Sequence, residues 1–277
     1  MLSLFKPYVE RYPAIANTYR RLRAFWSSRN RRLRTTAAGF QLIGDDSMAD
    51  GSFEPDETIL VQNNIGSYDV FVDVGAHVGF FTCLAGSRGR RTVSVEPCTD
   101  NLTLLYKNLV ANGLDHAEVF PVGIAAEPGL RVLYGGGTGA SVVPGWAGAS
   151  LQYARVIPVT TLDTLLSGRF ESRRLFVKID IEGGEFDALR GASETLSRSP
   201  HPTWLVEICL AEHWPRGQTP HFREVFEVFW HHGYQARTLD AARQIVTSDD
   251  ISRWVKTNRR GFGTHNFVFT DPNHVLL

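Results

Sequence analysis

The chain has 277 residues, 43% of them hydrophobic and 21% charged, with a formal net charge of zero. That length suits one sizeable α/β domain with an appendage, or two small domains. A neutral total gives no argument for a nucleic-acid partner, and no run of 18 apolar residues is present to span a membrane. Cys83, Cys98 and Cys209 stand far apart without CxxC or Cys/His spacing, the pattern of reduced core thiols in a cytoplasmic protein, and no metal site is expected.

Charge is unevenly placed. Residues 1–36 hold nine Lys/Arg and one acidic residue, a balance of +8 that leaves −8 for the remainder. Phe5, Tyr8, Val9, Tyr12, Ile15, Tyr19, Leu22 and Trp26 recur there at helical spacing, interrupted by Pro13. The segment reads as a basic amphipathic helical extension. Its stripe is expected to pack on the main domain, with peripheral membrane contact or an acidic partner as the alternatives. Residues 37–277 form the main domain.

Within it, a short strand at "GFQLIG" and a helix near "FEPDETILVQNN" come first. Strand "VFVDVG" then leads to helix "GFFTCLAGSRG", strand "TVSVEP" to helix "TDNLTLLYKNLVANG", and strand "AEVFPVGIA" follows. A long connection carries "YGGGTGASVVPGWAGAS", whose six glycines fit a mobile flap, and "TTLDTLL", which reads as a helix start. Strand "LFVKIDI" feeds helix "EFDALRGASETLS", strand "TWLVEIC" precedes helix "HFREVFEVFWHHG", and strands "YQARTL" and "HNFVFT" close the chain. Repeated strand–helix units predict a mostly parallel sheet with helices on both faces. Ligands in such sheets sit at the carboxyl ends of the strands.

The most informative turn is "DVGAHVG". Gly75 lets the backbone approach a ligand, and Gly79 lets the next helix pack tightly. Glu96, at the end of the next strand, stands where nucleoside-binding folds keep an acid for the ribose hydroxyls. The spacing is not GxGxxG, because His77 replaces the second glycine, and no lysine follows to grip a phosphate. Asp73 just before the turn suits a cationic ligand. The pattern therefore favours S-adenosylmethionine, a sulfonium nucleoside without phosphate, over a nicotinamide dinucleotide. His77 is either a cofactor contact or a satisfied turn residue.

"FVDVGAHVGFFT", "VEP", "NLVANG", "TLDTLL" and "VKIDIEGGEFDALRGA" together resemble the FkbM family of S-adenosylmethionine-dependent methyltransferases. The resemblance covers roughly residues 53–270. It implies a class I methyltransferase (Rossmann-like) α/β fold with a seven-stranded, mostly parallel sheet and one antiparallel strand near the carboxyl end. It implies O-methyl transfer as the typical reaction, on a hydroxyl of a sugar, glycolipid or other natural product. It also implies cofactor contacts at Asp73, Gly75, Gly79, Glu96 and Pro97, and an adenine edge read just after the third strand, near Gly123.

In "LFVKIDIEGGE", Lys178, Asp180 and Glu182 alternate onto one face of a strand that should be apolar throughout. Buried charges are costly unless paired or used. Asp180, at the carboxyl end beside the glycine turn, is the first candidate for the base that takes the acceptor proton, and for a cofactor contact. Lys178 is expected to hold it ionised or to bind the acceptor. Glu207 at the end of "LVEIC" and His213 in the following loop are the further catalytic candidates. Glu185 reads as a favourable charge at a helix start. Two rival readings stand beside this one: a nicotinamide-dependent oxidoreductase, and a non-catalytic protein that keeps the fold and tethers a partner or membrane through residues 1–36. A cytoplasmic location, membrane-peripheral if that segment binds lipid, is expected.

Overall fold

The computed structural model describes residues 32–149, 151–215, 217, 219–274 and 276. The aromatic stripe of residues 1–31 lies outside these residues. The first described strand, β1 (Leu33–Thr35), falls inside the segment expected as an extension and pairs antiparallel with β2 (Gln41–Ile43).

Seven strands build the main sheet: β3 (Val70–Val74), β4 (Arg91–Val95), β5 (Glu118–Phe120), β9 (Leu175–Ile179), β10 (Thr203–Glu207), β11 (Gln235–Thr238) and β12 (Asn266–Thr270). Their spatial order is β11-β12-β10-β9-β3-β4-β5, with β12 antiparallel to both of its neighbours. The strands from β10 to β5 are mutually parallel. This is the class I methyltransferase arrangement expected from the sequence. The switch in strand order falls between β3 and β9, where a ligand crevice is expected.

Alternation along the strands divides the core into two layers. Val70, Val72, Val74, Val177 and Ile179 face one layer, closed by the helices Leu162–Leu166, Glu185–Arg190 and Phe222–His231. Phe71, Phe176 and Leu205 face the other, closed by the helices Pro55–Asn64 and Phe80–Gly86. Charged residues placed on the second face between these apolar positions are forced into the interior unless they emerge at a strand end. Cys83, Cys98 and Cys209 are all buried and free.

Three features depart from the sequence reading. The single strand expected at "AEVFPVGIA" is two, because Pro121 lacks the N–H that would continue the ladder. Its second half, β6 (Gly123–Ile124), joins another sheet, ordered β6-β8-β7, with β7 (Gly129–Tyr134) and β8 (Ala154–Thr160) forming a hairpin. The helix expected over "EFDALRGASETLS" breaks at Gly191, where a Cβ would lie 2.4 Å from the Ala125 carbonyl oxygen. A helix over Ser248–Thr257, not anticipated, begins at a capping box in which Thr247 and Asp250 exchange hydrogen bonds. Among the described residues no helix is long and apolar enough to cross a membrane.

Candidate active site

The site follows from sheet register. Val95, Val74, Ile179 and Val206 pair side by side across β4, β3, β9 and β10. The next residue on each strand is therefore Glu96, Gly75, Asp180 and Glu207, one polar row along the carboxyl edge. Asn266 on β12 pairs with Glu207 and extends it. Glu96 and Asp180 stand two strands apart, about 10 Å at ordinary strand spacing. Two residues further down, on the same face, Asp73 and Lys178 are register partners.

Gly75 is required here by two observations. Its φ is +88°, and a Cβ would lie 1.9 Å from the carbonyl oxygen of Asp180. Only glycine lets these chain ends meet. Gly79, φ +86°, precedes the helix Phe80–Gly86, and its missing Cβ leaves room for Leu105. Glu96 is fastened by the turn itself: its carboxylate accepts the His77 N–H at 2.9 Å and the Cys98 N–H at 2.7 Å. Burial pushes its pKa up to about 7 against those two bonds. A carboxylate has lone pairs for about four bonds, so acceptor capacity remains on the cavity side.

The row opens into a cavity of about 280 Å³. Glu96, Pro97, Gly123 and Ala125 line one end, Glu54, Asp180, Glu182 and Glu207 the other, and Gly75 and His77 the wall between. Arg131, Leu133, Ile157 and Val159 of the β7–β8 hairpin roof it. Three non-glycine residues in the left-handed backbone region, Glu54 (φ +39°), His77 (φ +51°) and Glu182 (φ +58°), all line this cavity. Such conformations cost of order 1–3 kcal/mol each and cluster at functional sites.

Electrostatics divide the acidic end. Lys178 is 4% exposed, with Nζ 2.7 Å from Asp180 Oδ2, 3.8 Å from Glu54 Oε2 and 4.8 Å from the centre of the Phe81 ring. Burial works against its charge, but Asp180, Glu54 and Asp73 outweigh that and hold it protonated. Burial likewise opposes ionisation of Asp180; Lys178 and a hydrogen bond from Glu207 outweigh it, so its carboxyl stays below the usual range. Glu207 takes the opposite part. Burial and the charge of Asp180 push it up to about 11, making it the proton donor of the pair. Burial also raises Glu54 and Glu182 to about 8 each.

The glycine-rich segment between β7 and β8 is anchored at Trp146. Trp146, 1% exposed, donates its indole N–H to Glu182 Oε2 at 2.5 Å, and the Ser141 hydroxyl donates to the Glu182 carbonyl. Gly183 leaves room for the Trp146 ring, which a Cβ would meet at 2.6 Å. Trp146 tethers the segment to the turn after β9.

Not every candidate reaches the cavity. Asp73 is buried beneath the turn and accepts the Thr82 hydroxyl at 2.7 Å; burial raises its pKa. Gly79 acts in helix packing. The His213 ring lies 5.7 Å from Trp146, outside the residues lining the cavity. Glu185 accepts the Gly183 N–H at 3.0 Å and the Ile181 N–H at 3.3 Å, shaping the turn. Asp163 caps the helix Ser193–Leu196 through the amides of Glu194 and Thr195. Sequence reasoning missed Glu54, brought in by the helix that starts at Pro55, and His265, whose Nε2 is 3.4 Å from Glu207 Oε1. The only signal for Glu54 was an acid just before a helix-initiating proline; His265 had none.

The model of the methyltransferase FkbM domain matches residues 73–236, more than half of the chain and all of this row except Asn266. The chain belongs to the FkbM methyltransferase family. This FkbM domain is thus an S-adenosylmethionine-dependent methyltransferase, and the oxidoreductase reading is set aside. No curated protein matches the sequence. Solved structures similar to the FkbM chain include precorrin-6y C5,15-methyltransferase from Geobacter metallireducens GS-15, at 12% identity over 79% of this chain and 89% of that one, with a TM-score of 0.40. Ribosomal protein L11 methylase from Lactobacillus delbrueckii subsp. bulgaricus aligns at 11% identity, over 79% of each chain, with a TM-score of 0.42. An O-methyltransferase from Bacillus cereus in complex with SAH aligns at 16% identity, over 76% of each chain, with a TM-score of 0.39.

The donor set suits this cofactor. A phosphate-free ligand meets six carboxyl groups along the cavity, with Asp180 held ionised among them, while Lys178 is committed to its own ion pairs.

Proposed function

We propose that this methyltransferase transfers a methyl group to a hydroxyl oxygen of a small-molecule, glycosyl or glycolipid acceptor. In this reading the Glu96 carboxylate accepts from the ribose hydroxyls, and Pro97, Gly123 and Ala125 border the adenine. The Gly75–His77 turn passes beside the sulfonium end. Bound S-adenosylmethionine supplies an electrophilic methyl on sulfur. Asp180 accepts the hydroxyl proton as the oxygen attacks in line, a contribution of about 10²–10⁴-fold for a well-placed base. Lys178 keeps Asp180 ionised at neutral pH. Asp73, Gly79 and His213 take no direct part.

One observation carries this proposal: an aspartate held ionised by a buried lysine opens onto the cavity two strands from the nucleoside-type glutamate. An ionised carboxylate on the acceptor side is placed to take the proton that a neutral alcohol loses as its oxygen attacks. The test is a screen of pooled alcohols and glycosides with methyl-labelled cofactor, followed by Asp180→Asn. Expected are label in an ether and a roughly 100-fold or greater fall in the variant with cofactor binding kept. Label in an amine, or transfer unchanged by Asp180→Asn, overturns the reading.

A further inference from the structure

A proton accepted by Asp180 must leave before the next turnover, and Asp180 lines the cavity with only 20% of its side chain exposed. Lys178 cannot take it, being 4% exposed, already protonated and locked to Asp180 and Glu54. Glu207 can. It follows Val206 as Asp180 follows Ile179, the last register pair of β10 and β9, lines the same cavity, and its hydrogen bond to Asp180 helps hold that carboxyl low. On its far side stands His265, with Nε2 3.4 Å from Glu207 Oε1 and 42% of its side chain exposed. The Ile208 N–H donates to the His265 carbonyl at 2.7 Å, so the two strand ends hold this spacing through backbone.

We propose that Asp180, Glu207 and His265 form a proton-conducting chain leading from the methyl-acceptor end of the cavity to the protein surface, with His265 as its exit. The inference rests on the reading of Asp180 as the base. In the transfer step the oxygen–methyl bond forms, the carbon–sulfur bond breaks with its electrons going to sulfur, and the hydroxyl proton passes to Asp180. Once protonated, Asp180 no longer accepts from Glu207, whose single proton turns to His265 Nε2 and is given up there as Glu207 receives the one on Asp180. The imidazolium discharges to water and the original state returns. No redox partner is needed.

The groups facing His265 suit a transient carrier. Burial and the Arg260 guanidinium lower its pKa, with His213 acting in the same sense and Glu212 and Asp180 opposing. Arg260 is itself paired with Glu212, so the imidazole is not trapped as a cation by a dedicated partner there. His265 acts through Glu207 and does not line the cavity, which makes it a positioning and relay residue.

The first test needs no acceptor. In the full-length Asp180→Asn protein with ¹⁵N-labelled histidine, where a neutral amide stands in for protonated Asp180 and leaves the single Glu207 proton free to turn, Nε2 of His265 should be the unprotonated, hydrogen-bond-accepting nitrogen, with the proton on Nδ1. Adding Glu207→Leu should remove that bond and move the proton to Nε2. Should that variant not fold, infrared spectra at neutral pH replace it: the protonated-carboxyl band lost in Glu207→Gln should shift in His265→Gln. An unchanged tautomer, or a band insensitive to His265, overturns the chain and leaves Asp180 as base untouched. With an alcohol the wild type methylates, His265→Gln should slow turnover roughly 100-fold, and added imidazole should restore part of it. Unchanged turnover in His265→Gln together with loss in Asp180→Asn refutes the exit alone, whereas unchanged turnover in Asp180→Asn refutes the base.

Discussion

Replacing Lys178 with methionine isolates the charge that organises the site. The side chain is buried, keeps its length in the variant, and is the cation beside Asp180, Glu54 and Asp73. Removing one partner from a buried ion pair costs about 3–5 kcal/mol, a large part of the roughly 5–15 kcal/mol that holds a domain together. With a urea slope near 3 kcal/mol/M the midpoint should fall by about 1–2 M at pH 8. The pH dependence gives a sharper test. In the wild type Asp180 has a folded-state pKa below its unfolded value, so its contribution is present above the unfolded value and is lost only as pH falls through the folded one. In Lys178→Met burial is opposed mainly by the Glu207 hydrogen bond, the folded pKa rises, and the variant regains stability as pH drops from 8 toward 4. The deficit should therefore be largest at pH 8 and shrink on acidification, read by urea melts at several pH values. A deficit independent of pH, or absent at pH 8, would refute the account of Lys178 as the counter-charge.

Three further outcomes are expected. Glu96→Ala removes an acceptor that fastens the turn amides and faces the cavity; cofactor affinity by titration calorimetry should drop roughly 30- to 1,000-fold, or about 2–4 kcal/mol. Glu207→Gln keeps a neutral donor toward Asp180. Because the folded pKa of Glu207 is raised to about 11, its contribution is present below the unfolded value near 4.5 and fades as pH rises toward 11, so the variant should have the flatter stability curve and the higher midpoint at pH 9. Parallel curves would contradict that assignment. Trp146→Ala empties a fully buried position and frees Glu182; a loss of about 3–5 kcal/mol is expected in denaturant melts.

Much of this was legible in the residues. The apolar runs around Val72, Val93, Val177 and Leu205 specified strands buried on both faces, and their alternation with helices specified a parallel sheet. Gly75 and Glu96 were conspicuous because their chemistry is local: a left-handed turn needs glycine, and an acid at the next strand end is what a ribose would require. Lys178 and Asp180 were conspicuous because a charge in a buried strand is costly enough to require a reason. Pro121, by contrast, announced a break that the surrounding β-branched residues concealed. The hairpin β7–β8 was hidden by its glycines, and the anchoring of Trp146 to Glu182, 36 positions away, has no local signal.

What only tertiary structure decided is which of the acids meet. Sequence placed Asp180 and Glu207 on separate strands; register made them neighbours, and the antiparallel return of β12 brought His265 to the same edge. The same packing carried Glu54 in from the amino-terminal side and left Asp73 and His213 outside the cavity. Side-chain identity sets the ordinary pKa of each group. The distance and dryness that split two equivalent carboxyls into an ionised aspartate and a protonated glutamate arise only when strands remote in the chain are laid side by side.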